Sequence, residues 1–418
     1  MRKVFHALTL NFHQPPGNLE HLLQIDEWAV KELLWAIDRM PRALWGYEDV
    51  ARVHISLSGT LLEVLANPAF QERTYGFVKC GDLLWHLQNR KIFEILGTGF
   101  YHPVLPLIPE ADREEHLIRW QGIAQHLFWR TSFQGFWPPE MGFCMELIPL
   151  LKRMGYRYVM VDSNNVEPVG DMRWEEIRYR PHIARHDGEE IIVVVRDREL
   201  SNAQQSGMDA GWFMQEVHER TKHCEFPPLV MTATDGDNGG WFRNTDEKGN
   251  FWHVCYRELL DWVRRGETEI QPVFIHDYLD QYGAHGEVKV KNAAWNTGWH
   301  HGADFMQWTG SDAQKKVVVR IKEISDDLQV TGKKLREQLG DSPSLLSQVE
   351  EARWRLLRAE TSCNIFWGED WVHKANTDLD EVARLLEPMK QLQQLSQAQV
   401  SAQAGNGGAA EPEEKSGL

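Results

Sequence analysis

The sequence predicts an α/β fold: a barrel of parallel strands and crossover helices, followed by a helical region. Three observations carry this. Short β-rich runs alternate with helically spaced segments over the first three-quarters of the chain, the pattern of βαβ units. Polar residues (His13, His102, Glu140, Asp162, Asp235 and His276) gather just after the strand-like runs, as they do at the carboxyl ends of barrel strands. Beyond about Gly310 the β-rich runs stop and long helical patterns take over.

The elements follow in order. Val4 to Phe12 is a β-rich run closed by the turn cluster His13-Gln14-Pro15-Pro16-Gly17-Asn18. Ile25 to Ile37 places Ala29, Leu33, Ala36 and Ile37 at helical spacing. Further strands are expected at 53–57, 92–96, 134–137, 156–161, 191–195, 229–233 and 272–275. Helices are expected between them at 82–91, 114–128, 145–154, 211–221 and 251–264. Seven or eight strands with one chemical end favour a barrel, irregular or incomplete, over a doubly wound open sheet. No Gly-x-Gly-x-x-Gly opens a helix after the first strand, so a dinucleotide site lacks support. The expected organisation is a barrel over 1–310, a helical region over 311–399 and a disordered tail over 400–418, whose Ala, Gly, Glu and Ser content cannot build a core.

Composition narrows the partners. The net charge of -16 disfavours nucleic acid and anionic membranes, which attract basic surfaces. No apolar run reaches membrane-spanning length, and the first strand lacks a signal-peptide cleavage pattern. Five widely spaced cysteines without a Cys-x-x-Cys fit a reducing cytoplasm. Eighteen tryptophans exceed what a core requires. Trp137, Trp241, Trp295, Trp299 and Trp367 stand in polar or glycine-rich surroundings, where a sugar ring could stack on them.

Two carboxylates stand out. Glu140 follows Trp137-Pro138-Pro139, and the prolines limit the backbone freedom of the loop that carries it. Asp235 ends an apolar strand and begins Asp235-Gly236-Asp237-Asn238-Gly239-Gly240-Trp241. Glycoside chemistry needs two carboxyl groups across one bond, with aromatic faces to hold the ring. Glu140 reads as a nucleophile and Asp235 as general acid/base, with Asp237 as an accessory carboxylate that raises its proton affinity. The competing readings are a solvated loop glutamate and an ordinary Asp-Gly turn. Arg196 and Arg198 could hold the carboxylates or form a surface ion cluster. His13, His102, His276, His300 and His301 raise the question of a metal, but neither His-x-Asp at the first strand nor His-Glu-x-x-His is present, so no metal site is assigned.

These segments resemble glycoside hydrolase family 57. The family's blocks match His13-Gln14-Pro15, the run Glu94 to Leu107, Trp137 to Glu140, Asp235-Gly236-Asp237 and Ala359-Glu360-Thr361-Ser362-Cys363. They stand in the family's order across about residues 4 to 370. Two positions depart from the pattern: Asp237 replaces the more usual glutamate, and Cys363 stands where many members have aspartate. The resemblance implies an incomplete (β/α)7 barrel with a helical bundle beside it, and a retaining mechanism on α-glucans. It gives Glu140 as nucleophile and Asp235 as general acid/base. His13, Gln14 and His102 would bind the sugar at the cleavage point, with Trp137, Trp241 and Trp367 as stacking surfaces. No cofactor is implied. An α-amylase-like hydrolase is expected; a 4-α-glucanotransferase, a branching enzyme or a glucan-binding protein without catalysis is the alternative. A metal-dependent deacetylase or mannosidase is the rival on other grounds.

Overall fold

The structure is a computed structural model that describes residues 3–295, 304–339 and 343–406. Seven strands are labelled in chain order: β1 (Val4–Phe12), β2 (Val53–Leu57), β3 (Phe93–Leu96), β4 (Gly135–Phe136), β5 (Tyr158–Asp162), β6 (Glu189–Arg196) and β7 (Leu229–Asp235). Each pairs in parallel with the next: β1 with β2, β2 with β3, β4 with β5, β5 with β6 and β6 with β7. β7 returns to β1 from Phe5↔Leu229 to Asn11↔Asp235. β3 reaches β4 just past its own end, through the parallel bridge Gly97↔Phe136. The circuit therefore closes as a seven-stranded parallel barrel, with two thin seams. One is the β3–β4 bridge; the other is the single register pair Arg196↔Met231 between β6 and β7.

Glycine makes the first seam possible. A Cβ on Gly97 would lie 2.2 Å from the Tyr156 hydroxyl, and one on Gly135 would lie 2.3 Å from the Tyr158 ring. Only residues without a side chain let these backbones approach.

Strand parity divides the barrel into two faces. Leu8, Leu10, Phe12, Val53, Ile55 and Val193 join the large core under the surrounding helices. Phe5, Ala7, Leu96, Tyr158, Met160, Val194, Met231 and Ala233 fill the interior. The strand Ile270–Pro272 pairs with the start of β1, and the Ile275–Tyr282 helix adds Ile275, Tyr278 and Leu279 to the interior cluster. The sequence reading placed a strand over 272–275; in the structure Ile275 already begins this helix.

Further strands were not among those expected from the sequence. His182–His186 pairs antiparallel with β6, and Val166–Val169 pairs antiparallel with Glu287–Val290. These half-exposed strands extend the sheet outward from β6, in the order His182–His186, Glu287–Val290, Val166–Val169.

The helical region comprises Asp312–Leu339, Pro343–Ala359, Ser362–Phe366 and Val372–Asn406. The sequence pattern read 344–367 as one helix; the chain instead breaks at Glu360-Thr361. Val317, Ile321, Leu328, Ala352, Leu356, Leu379 and Leu386 pack together, and barrel-loop residues Val104 and Ala294 join them. The last helix runs to Asn406, past the position where the tail was expected to begin; residues 407–418 lie outside the described residues.

Candidate active site

The parity that fills the barrel also arms one end of it. Asn11, Asp162, Arg196 and Asp235 continue the inward-facing rows of β1, β5, β6 and β7 at their carboxyl ends. They meet there. Asn11 Nδ2 donates to Asp235 Oδ1 at 3.0 Å. Arg196 is buried, donates to the Ala233 carbonyl (2.7 Å), Asp162 Oδ2 (2.8 Å) and Asn202 Oδ1 (2.9 Å), and lies over the Trp295 ring. Arg198 stands 3.7 Å from Asp162 Oδ1. Both arginines therefore bind Asp162, an acid of the barrel end, rather than either of the two carboxylates singled out in the sequence.

Glu140 comes from the loop after β4. Its backbone takes φ 57°, followed by Met141 at φ 47°, in the left-handed region. Non-glycine residues enter that region at a cost of about 1–3 kcal/mol unless their surroundings hold them. Here the Trp295 N–H donates to the Glu140 carbonyl (2.9 Å), and Phe143 and Ala293 exchange backbone hydrogen bonds. The Glu140 side chain is 14% exposed. The Trp295 indole donates to Oε2 at 3.0 Å and Ser362 Oγ donates to Oε1 at 2.8 Å. Burial, then the charge of Asp235, pushes the Glu140 carboxyl up to about 7, against those two donors. Burial likewise raises Asp235, opposed by hydrogen bonds from Asn11 and Asn238. Asp237 accepts from Gln14 Nε2 at 2.9 Å; burial and the Asp235 charge push it up to about 7.

Glu140, Asp235 and Asp237 line one cleft of about 240 Å³, with Asn11, His13, Gln14, His102, Arg196, Asn202, Trp295, Cys363, Phe366 and Trp367. The two expected catalytic carboxyls thus share a site although 95 positions of sequence separate them. His13, Gln14 and His102 line the same cleft. The His13 and His102 rings stack with centroids 4.1 Å apart. Both are buried and held well toward the neutral form, His102 down to about 3 by desolvation. Trp367, 58% exposed, stands on the rim.

Three expectations need correction. Trp137 is fully buried and meets Trp295 edge-on at 5.3 Å, so it supports the cleft wall and offers no face to a ligand. Trp241, on the Gly239–Arg243 helix, packs half-buried against the main core and is absent from the cleft lining. His276 sits away from the cleft, bonded to the buried Glu94 at 2.7 Å. Glu94 also accepts from Tyr158 OH at 2.7 Å. Burial opposes its ionisation, yet hydrogen bonds from His276 and His54 hold it well below the usual carboxylate range. Trp299, His300 and His301 lie outside the described residues. Among the described residues no group of three or more His, Cys, Asp or Glu is placed to hold a metal ion.

The sequence reading missed Asn11 and Ser362 as site residues. Parity from Asp235 back to the paired β1 would have found Asn11; Ser362 stands in the block Ala359 to Cys363, which the resemblance singled out without giving Ser362 a role.

A parallel barrel with electrostatically coupled acids in a polar, aromatic-rimmed cleft at its carboxyl end defines the class: barrels of glycoside hydrolase type. The chain belongs to glycosyl hydrolase family 57, whose model matches residues 22–291. It is 26% identical over 340 residues to an alpha-amylase of Pyrococcus furiosus, covering 79% of this chain and 46% of that protein. It is 24% identical over 334 residues to a 4-alpha-glucanotransferase of Thermococcus kodakarensis, covering 77% and 45%. The chain thus spans about half the length of these curated relatives. Among solved structures, the branching enzyme of Pyrococcus horikoshii superposes with a TM-score of 0.69 at 14% identity, over 92% of this chain and 89% of that one. At that identity the likeness speaks for the fold, which is the family's (β/α)7 barrel.

Proposed function

We propose that this chain is a retaining glycoside hydrolase acting on α-glucans. The observation that carries the reading is the shared cleft of Glu140 and Asp235, where burial biases both carboxyls toward the protonated form and the Asp235 charge adds to the effect on Glu140. Glu140 attacks the anomeric carbon while Asp235 gives its proton to the leaving oxygen. Asp235, now ionised, takes a proton from water or from an incoming sugar hydroxyl, and the glycosyl–Glu140 ester is released. His13, Gln14 and His102 contact the ring at the cleavage point, and Trp367 offers its exposed face further out. The substrate class rests on the family and on the alpha-amylase and 4-alpha-glucanotransferase relatives.

Transfer to a sugar acceptor is the second reading, favoured by the aromatic rim of Trp295, Phe366 and Trp367, which shields an intermediate from water. Cys80, Cys144, Cys255 and Cys363 are free thiols, which supports the cytoplasm as the compartment. Among the described residues no helix is long and apolar enough to cross a membrane.

Incubation with maltoheptaose tests the reading. Shorter products alone mean hydrolysis, and longer ones mean transfer. Glu140→Gln should lose at least about a thousandfold in kcat while still binding the oligosaccharide, because the nucleophile is removed. A Glu140→Gln protein that turns over at the wild-type rate sinks the assignment.

A further inference from the structure

Glu140 is held from two sides, and the two donors come from different parts of the molecule. Trp295 follows the Glu287–Val290 strand and packs into the barrel's interior cluster; Ser362 opens a short helix of the helical region, two residues past the break at Glu360. Ser362 is fully buried. Its hydroxyl has one proton, which goes to Glu140 Oε1. The same oxygen stands 3.2 Å from His102 Nδ1, so in that contact His102 must be the donor. This fixes the tautomer: the proton sits on Nδ1 and the lone pair on Nε2. His102 Nε2 is buried with no partner among the described residues, on a ring that lines the cleft.

The backbone is built to hold this arrangement. His102 takes φ 56°, its carbonyl accepts the Ser362 N–H at 3.2 Å, and Pro103 bridges Thr361. Behind the turn, His116 Nδ1 accepts the Tyr101 N–H at 3.3 Å and His116 Nε2 meets Glu360 Oε2 at 2.8 Å. Three consecutive residues at the break, 360–362, are thereby pinned to the loop after β3 and to the helix Glu110–Phe128 that follows it.

We propose that Ser362, oriented by His102, is a positioning residue of the reaction: its hydroxyl aims the Glu140 carboxylate and keeps it ionised for attack. The inference rests on the nucleophile reading given above. The titratable and charged groups that share the cleft with Glu140 are His13 and His102 from the loops after β1 and β3, Arg196 from β6, Asp235 at the end of β7, Asp237 and Arg243 just beyond it, and Cys363 beside Ser362; of these, Asp235 carries the charge that raises Glu140. Among the described residues only Trp295 and Ser362 donate a hydrogen bond to its carboxylate oxygens. Removing the Ser362 donor leaves burial and Asp235 less opposed, so Glu140 should take up its proton at higher pH.

The test is the pH profile of kcat/KM on a maltooligosaccharide. Ser362→Ala should lower kcat about tenfold with KM nearly unchanged, because the lost bond acts on the nucleophile rather than on ground-state binding. Its acid limb should move up by roughly one pH unit, the scale of a lost hydrogen bond to a charged group. Ser362→Cys, nearly isosteric with a weaker donor, should move the limb in the same direction by less, and it carries the test if the alanine variant does not fold. His102→Phe keeps the stacked ring, removes the donor and should move the limb as well; combined with Ser362→Ala it should add nothing. An unmoved limb in either folded Ser362 variant, with Glu140→Gln inactive, overturns this role and leaves the nucleophile standing. A Glu140→Gln protein with wild-type turnover removes the nucleophile reading, and this role falls with it.

Discussion

Glu140 shows how one residue trades stability for chemistry. Its carboxyl is buried beside a second acid, so the folded state favours the protonated form. A group raised from 4.5 to about 7 on folding contributes stability that is complete below pH 4.5 and lost as pH rises through about 7. Glutamine cannot ionise, so Glu140→Gln has no such loss. Above pH 7 that variant should be more stable than the wild type by about 1–3 kcal/mol, and below pH 4.5 the difference should vanish or reverse. Thermal unfolding followed at pH 4 and pH 8 checks this; equal melting differences at both values would refute it. The tryptophans show the opposite kind of outcome. Trp137 and Trp367 both stand in unusual local sequence, yet one is core and the other rim. Each follows a phenylalanine; Trp137 leaves the end of β4 and Trp367 the end of the Ser362–Phe366 helix, and the packing of those two elements decides which ring is covered.

At the scale of the element, the strand-to-loop junctions decide where the acids sit. β7 delivers Asp235 on its inward face, and Gly236 then turns directly over β1. A Cβ at Gly236 would lie 2.4 Å from the Phe12 ring, itself fully buried in the main core, so neither partner can give way. Gly236→Ala should therefore cost about 1–3 kcal/mol of stability through overpacking. It should also displace the Asp235–Asp237 turn and reduce kcat by about a hundredfold, the penalty of an ångström-scale misplacement. Chemical denaturation and kcat measured on the same protein test the pairing; full activity with lowered stability would show that the turn recovers its geometry. The strands β1, β2, β3 and β7 were legible because burial on both faces favours a largely apolar run. The edge pieces at 166–169, 182–186 and 287–290 were not, because half-exposed polar strands carry no such signature.

At the scale of the whole molecule, barrel and helical region complete one site together. The barrel supplies Glu140, Asp235 and the histidines; the helical region supplies Ser362, Cys363, Phe366 and Trp367. A chain ending at Gly310 would lose those four residues and expose Val104 and Ala294, which now pack into the helical core. Such a protein should be inactive on maltoheptaose and should bind a hydrophobic dye strongly, since an apolar patch of that kind is an aggregation surface. Retained activity after this truncation would show that the barrel suffices.

The sequence by itself determined the alternation of strands and helices, the shift to a helical region near residue 310, and the two carboxylates with His13, Gln14 and His102. Those are written in local hydrophobic period and in short motifs, and local pattern survives without a partner in view. Only the tertiary structure decided which tryptophans face the cleft, that His276 is bonded to Glu94, and that Ser362 reaches across 222 positions to Glu140. Each of these depends on two segments meeting at a fixed angle and distance, and that meeting is set by the packing of the whole core, which no single stretch of residues encodes.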